Sequence, residues 1–63
     1  MKEHSKIMLS VKDVCELLDI RPSKAYEIIR ELNNQQKSKG IFTISGKVNR
    51  NVLFKAFAIE DIS

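Results

Sequence analysis

Two amphipathic runs separated by a proline-led break, SVKDVCELL and PSKAYEIIREL, constrain this chain more than anything else in it. In the first run, Val11, Val14, Cys15, Leu17 and Leu18 recur at helical spacing, which sets them on one face that must be buried. Ser10 stands just before the pattern, and Asp13 follows at the spacing of a capping box. The hydroxyl and the carboxylate can therefore satisfy amides that a helix start leaves unpaired. A first helix is expected from about Val11. Asp19-Ile20-Arg21-Pro22 breaks the periodicity: Pro22 disfavours helical backbone at Arg21 and suits the first position of a new helix. Ala25, Ile28, Ile29 and Leu32 then form a second apolar stripe. Ser23, Lys24, Glu27, Arg30, Glu31 and Asn34 occupy the other faces, with Tyr26 near the boundary. One face packs inward and the other is left available.

Beyond Leu32 the chain turns polar through Asn33-Asn34-Gln35-Gln36-Lys37-Ser38-Lys39, and Gly40 suits the left-handed position that ends a helix. The second helix is expected over about 22–37, with a last turn that carries no apolar stripe and so projects and frays. Ile41-Phe42-Thr43-Ile44 has β-branched and aromatic residues, Ser45-Gly46 makes a compact turn, and Lys47-Val48-Asn49 can return as a partner strand. This reads as a hairpin over about 41–49, held to the helices by Ile41 or Phe42 and by Val48, because an isolated hairpin is marginal in water. Val52-Leu53-Phe54-Lys55-Ala56-Phe57 reads as one or two helical turns, with Leu53, Phe54 and Phe57 covering the core. The expected organisation is a flexible leading segment over 1–8, one domain over 9–57 and a tail over 58–63.

At 63 residues the chain can build only a small core, so efficient packing, a partner or a ligand has to support it. The single Cys15 has no partner for an intramolecular disulfide and lies in the apolar stripe, which suits a buried thiol and a reducing, cytoplasmic setting. No apolar run reaches the length of a membrane span, and the apolar stretch after Met1-Lys2-Glu3-His4-Ser5-Lys6 is too short for a secretion signal. No membrane association is expected. The net charge is +3, and its distribution says more than its size. Arg21, Lys24, Arg30, Lys37, Lys39, Lys47, Arg50 and Lys55 face only Glu27 and Glu31 across that stretch, whereas the first helix and the tail are net acidic. Positive charge gathers where the second helix and the hairpin would meet a polyanion.

Other chemistries find little support. His4 is the sole histidine, so neither a His/Cys metal cluster nor a Cys-His nucleophile pair can be assembled. Gly40 and Gly46 are too far apart for a phosphate-cradling loop and are accounted for as helix stop and turn. No enzymatic activity and no cofactor are expected.

LSVKDVCELLDIRPSKAYEIIREL resembles the opening of small winged-helix proteins of the excisionase and MerR-like helix-turn-helix group. Their pattern is an apolar residue, Ser/Thr, Val, a two-turn helix, a short turn, and a helix with Tyr and Arg four apart; Tyr26 and Arg30 match that spacing. The likeness spans about Leu9 to Lys47. It implies a mainly α winged helix-turn-helix with a small β-hairpin, serving as an excision factor of a mobile element or as a small transcriptional regulator.

In helix-turn-helix docking the second helix enters the major groove with its N-terminal residues near base edges. Lys24 would then reach a guanine edge and Glu27 a cytosine amino group, while Ser23 and the helix start suit a phosphate. Arg21, Tyr26 and Arg30 are assigned to the DNA backbone, and Lys47 with Arg50 to the adjacent backbone or minor groove. Four of them have a simpler reading: Tyr26 as packing, Glu27 as an intrahelical partner of Lys24 or Arg30, Ser23 as an aid to helix initiation, Lys47 as a solvated lysine. Expected partners are double-stranded DNA, a second copy in a homodimer or cooperative assembly, and a recombinase or replication protein. The rival reading is a protein-interaction subunit of a replication or recombination complex, docking through Phe54, Phe57, Ile59 and Ile62.

Overall fold

A computed structural model describes residues 6–59. His4, Ile62 and the end of the expected tail lie outside the described residues. The elements run β1 (Met8–Ser10), α1 (Val11–Leu18), α2 (Pro22–Ser38), β2 (Lys47–Asn49) and α3 (Arg50–Ala56). The architecture is mainly α with a two-stranded antiparallel sheet, compatible with a winged helix-turn-helix.

The start of α1 follows from its two polar residues. Ser10 Oγ accepts from the Asp13 amide at 3.2 Å, and the Asp13 carboxylate accepts from the Ser10 amide at 2.9 Å. Lys6 Nζ donates to the same carboxylate at 2.9 Å. The helix stops at Asp19, which takes the left-handed conformation with φ 57° and ψ 53°. Asp tolerates that region better than most residues. The amides of Asp19 and Ile20 both return to the Cys15 carbonyl, and Arg21 leads in extended conformation to Pro22.

Each element sends at least one apolar side chain into a single core. Leu9 comes from β1, Val14 from α1, Ala25, Ile29 and Leu32 from α2, Val48 from β2 and Leu53 from α3. Burying a Val, Leu or Ile side chain contributes about 1.5–3 kcal/mol, and no element here has enough to fold alone. Leu17 is 46% exposed, so it lies off the face that the periodicity assigns it to. The remaining α1 stripe, Val11, Val14, Cys15 and Leu18, packs inward.

The strand pairing differs from the hairpin that the sequence suggests. Val48 is fully buried, as expected, but β2 pairs with β1 in the register Met8↔Asn49, Leu9↔Val48 and Ser10↔Lys47. Residues 41–46 form no strand; Phe42 is wholly exposed, and Ile41 is about half so. The turn explains this. The Lys47 amide donates to the Ile44 carbonyl at 3.1 Å, and of the two central residues only Gly46 has positive φ, +79°. That is the pattern of a type II turn, whose twist splays flanking strands, whereas a two-residue hairpin favours the primed types. The chain therefore enters the turn as a loop, and the edge of β2 is open to Met8–Ser10. Met8, which the sequence assigns to the leading segment, is thus part of the sheet.

The last turn of α2 is closed. Gly40 adopts φ +81°, and the amides of Lys39, Gly40 and Ile41 return to the carbonyls of Gln36 and Lys37. α3 starts at Arg50, earlier than the apolar pattern indicates, because Asn49 Oδ1 accepts from the amides of Asn51 and Val52 at 2.8 and 3.2 Å. Leu53 is fully buried and Phe54 partly so, while Phe57 is 44% exposed and lies off the core. Ala58 ends the helix with φ 55°, a conformation that suits glycine, and the Ile59 amide reaches back to the Phe54 carbonyl at 2.8 Å.

Two outcomes follow. The Ser10 amide, reinforced by Lys6, holds the Asp13 carboxyl below its ordinary pKa of 3.8. The unfolded chain therefore takes up that proton first as pH falls. The contribution is complete above about pH 4 and is lost as pH drops through the lower folded-state value. Asp13→Asn is expected to lower stability by about 1 kcal/mol at neutral pH, with the gap to wild type closing in acid, as read by urea unfolding across pH. Ala58→Gly should raise the thermal midpoint, by relief of about 0.5–1 kcal/mol of backbone strain, as followed by circular dichroism.

Candidate nucleic-acid interface

α2 is about 25 Å long at 1.5 Å per residue, and only its inner stripe is packed. Ser23, Lys24, Tyr26, Glu27 and Arg30 surround one shallow hollow of about 370 Å³ on the outward side of the helix. All five are exposed. Lys24 Nζ lies 3.6 Å from Glu27 Oε1, with the two side chains 63% and 68% exposed. This is the intrahelical pairing, and a contact so well solvated is worth little. Both charges are available to exchange it for another partner.

The start of α2 is open as well. α1 and α3 are capped by the side chains of Ser10 and Asn49, but Arg21 at the cap of α2 makes no side-chain hydrogen bond to the helix. The Arg21 carbonyl accepts from the Ala25 amide at 3.0 Å, and Pro22 has no amide to satisfy. With no acidic residue in the first turn, the positive end of the helix dipole is uncompensated. Arg21 is exposed beside it.

The turn at Ser45-Gly46 comes back to this same end. Ser45 and Gly46 share a cleft with Val11, Pro22, Ser23 and Tyr26, so the turn borders the first two turns of α2. Lys47 follows at the exposed start of β2. The structure thus gathers Ser23, Lys24, Tyr26, Glu27 and Arg30, with Arg21 at the helix start and Lys47 beyond the turn.

Arg50 is not brought to this face. Its guanidinium lies 5.3 Å from the centroid of the Phe54 ring, in a hollow with Lys6, Leu9, Asp13, Glu16 and Leu17 on the outer side of α1. That hollow contains two carboxylates and not the cations of α2. The element boundary accounts for the difference: Lys47 opens β2, whereas Arg50 opens α3, where the chain turns out of the strand.

A curated relative, the ICEBs1 excisionase of Bacillus subtilis (strain 168), is 43% identical over 42 residues. The match covers 67% of this chain and 66% of the relative, so the chain spans just under two thirds of that protein's length. Over that stretch the chain is similar to an excisionase. No family model matches it, and no solved structure does.

One residue that ties the turn to α2 is hidden in the sequence. Asn33, in a run of polar residues, is only 8% exposed. Its Nδ2 donates to the carbonyls of Ile44 at 3.2 Å and Lys47 at 2.8 Å. The available signal was its spacing, one residue after Leu32 at the edge of the buried stripe. Among the described residues, no group of three or more His, Cys, Asp or Glu could hold a metal ion, and no helix is long and apolar enough to cross a membrane.

The exposed Lys24–Glu27 pair has a direct check. Glu27→Gln is expected to leave stability within about 0.5 kcal/mol of wild type in urea unfolding, as for a surface ion pair that contributes little to the fold.

Proposed function

We propose that this chain is a small double-stranded DNA-binding accessory factor of recombination, without catalytic activity of its own, that acts beside a recombinase in excision. In this reading α2 lies in the major groove, and the turn with Lys47 meets the adjacent backbone or minor groove. One observation carries the reading most: the outward face of α2, Ser23, Lys24, Tyr26, Glu27 and Arg30, makes no packing contribution to the core and sits next to an uncapped helix start. Its position on a helix about 10–12 Å across suits a major groove about 12 Å wide. The likeness to an excisionase supports the assignment to recombination.

The roles divide by chemistry. Lys24 takes a guanine edge and Glu27 a cytosine amino group once their weak mutual pair opens. Arg21, Ser23 and the free amides of the first turn hold phosphate, as helix N-termini do. Tyr26 and Arg30 contact the backbone further along, and Lys47 supplies the flanking contact. Arg50 belongs to this set by sequence but is held on the α1 side, so it takes a supporting place at most. A domain this small touches few phosphates, and useful specificity calls for a second copy on an adjacent site or a partner protein. A role as a transcriptional regulator would use the same face.

The test is a fluorescence-anisotropy titration against duplex and single-stranded DNA pools at two salt concentrations. Wild type should prefer duplex, with affinity falling along a log–log salt slope on the order of −4 to −5 for about five phosphate contacts. Lys24→Ala/Arg30→Ala should bind at least about tenfold more weakly and show a shallower slope. Equal binding by this variant would remove α2 from the interface.

A further inference from the structure

We infer that Asn33 is a positioning residue that sets the flanking turn against the DNA-reading helix, and that the contribution of Lys47 to duplex binding depends on it. The inference rests on the DNA-binding reading above and extends it to a residue that touches no nucleic acid.

The geometry is specific. Asn33 lies on α2 one position from Leu32, at the border between the core stripe and the loop, and its amide group spans the turn from behind. The Ile44 carbonyl receives two hydrogen bonds, one from the Lys47 amide that closes the turn and one from Asn33 Nδ2. The Lys47 carbonyl receives the other Asn33 hydrogen bond, the shorter of the two. Asn33 thus joins both ends of the turn to the helix that carries Lys24 and Arg30. Lys47 is also paired with Ser10 across the sheet, and Ser10 caps α1. Its backbone is fixed to one helix through a side-chain amide and to the other through a strand.

Between the Ile41 amide, bonded to the Gln36 carbonyl, and the strand pairing at Lys47, Asn33 supplies the side-chain hydrogen bonds that tie this segment to α2. Residues 41–46 form no ladder, and Ile41, Phe42 and Ile44 are exposed. The amide group replaces the strand pairing that a hairpin would have supplied. Binding by a flexible turn loses affinity to the ordering of its backbone, and a turn already fixed in the bound geometry avoids that loss. Asn is suited to this because its amide presents two donors from one nitrogen. Asp has none when ionised, and Leu fills a similar volume with none.

A double-mutant cycle in duplex binding tests the inference, using Lys47→Ala, Asn33→Leu and the double variant, with Asn33→Ser as the milder change should Asn33→Leu fail to fold. Circular dichroism establishes that each variant is folded at the assay temperature. In wild type, Lys47→Ala is expected to weaken binding about five- to tenfold, the size of one charge-assisted contact, and to reduce the salt slope by about 0.9. In the Asn33→Leu background the same change should weaken binding less than twofold and leave the slope unchanged, with Asn33→Ser in between. A merely structural Asn33 would lower the folded fraction but leave the Lys47→Ala factor intact. An equal factor in both backgrounds, or no effect of Lys47→Ala in wild type, overturns the inference while leaving the α2 reading in place. If Lys24→Ala/Arg30→Ala also bound like wild type, the assignment of α2 to the interface would fall as well, and absence of duplex binding by wild type would remove the DNA-binding reading itself.

Discussion

The pairing of Met8–Ser10 with Lys47–Asn49 holds the two ends of the domain together, and the helices depend on it. A two-stranded sheet of three-residue strands is marginal by itself. Here its residues do several things at once. Leu9 and Val48, paired across the sheet, are both in the core. Ser10, the last residue of one strand, caps α1; Asn49, the last of the other, caps α3. The Arg50 amide extends the contact to the Ile7 carbonyl at 2.7 Å. Strand pairing, core packing and two helix starts therefore form or fail together, which gives a small domain cooperativity that its limited buried area would not supply.

This arrangement leaves α2 different from its neighbours. α1 and α3 start at the sheet, where a side chain is available to cap each of them. α2 starts away from the sheet, after an extended Arg21; Ala25 packs into the core, while Pro22 and Ser23 border the Ser45-Gly46 turn and Val11. An uncapped start forgoes about 1 kcal/mol relative to a Ser, Asp or Asn cap. Pro22 reduces the cost by removing one amide that would need a partner. The helix that carries the chemically varied exposed face is thus the one whose amide end is open to an outside acceptor.

Local features of this fold were legible in the sequence, and non-local ones were not. The Ser10/Asp13 cap, the break at Arg21-Pro22, the Gly40 stop and the inward stripe of Ala25, Ile29 and Leu32 each depend on neighbours within a few residues. The five residues around the α2 hollow follow from the same helical spacing. The strand partner was a choice between a nearby candidate, Ile41–Ile44, and a distant one, Met8–Ser10. Composition favours the first, since it is β-branched and aromatic. Turn stereochemistry decides for the second, because Ser45-Gly46 bends in a form that does not lead into a hairpin. Asn33 was illegible for a related reason: a buried amide differs from its solvated neighbours Asn34 and Gln35 only by what lies opposite, and its acceptors are at Ile44 and Lys47. Arg50 fell to the other side of the domain because one residue of helix start rotates it away from Lys47.

The distribution of charge gives these placements a direction. From Leu32 to Ile59 the chain contains Lys37, Lys39, Lys47, Arg50 and Lys55 and no carboxylate. Three acidic residues, Asp13, Glu16 and Asp19, are on α1 or at its end, and two, Glu27 and Glu31, are on α2. Asp13 is occupied by Ser10 and Lys6, and Glu16 lines the hollow that holds Arg50. On α2 itself Glu27 is matched by Lys24. At the face assigned to DNA, the Glu27 carboxylate has the Lys24 cation beside it, so the repulsion that a phosphate backbone would meet there is reduced at short range. In the proposed docking this pairing leaves Glu27 able to discriminate, since its carboxylate would gain a hydrogen bond only where a donor such as a cytosine amino group replaced Lys24. In the proposed reading such a surface would bind a polyanion through its cations and read it through an acid, and both would need the helix and the turn at a fixed distance, which the hydrogen bonds of Asn33 and the Ser10–Lys47 pairing favour.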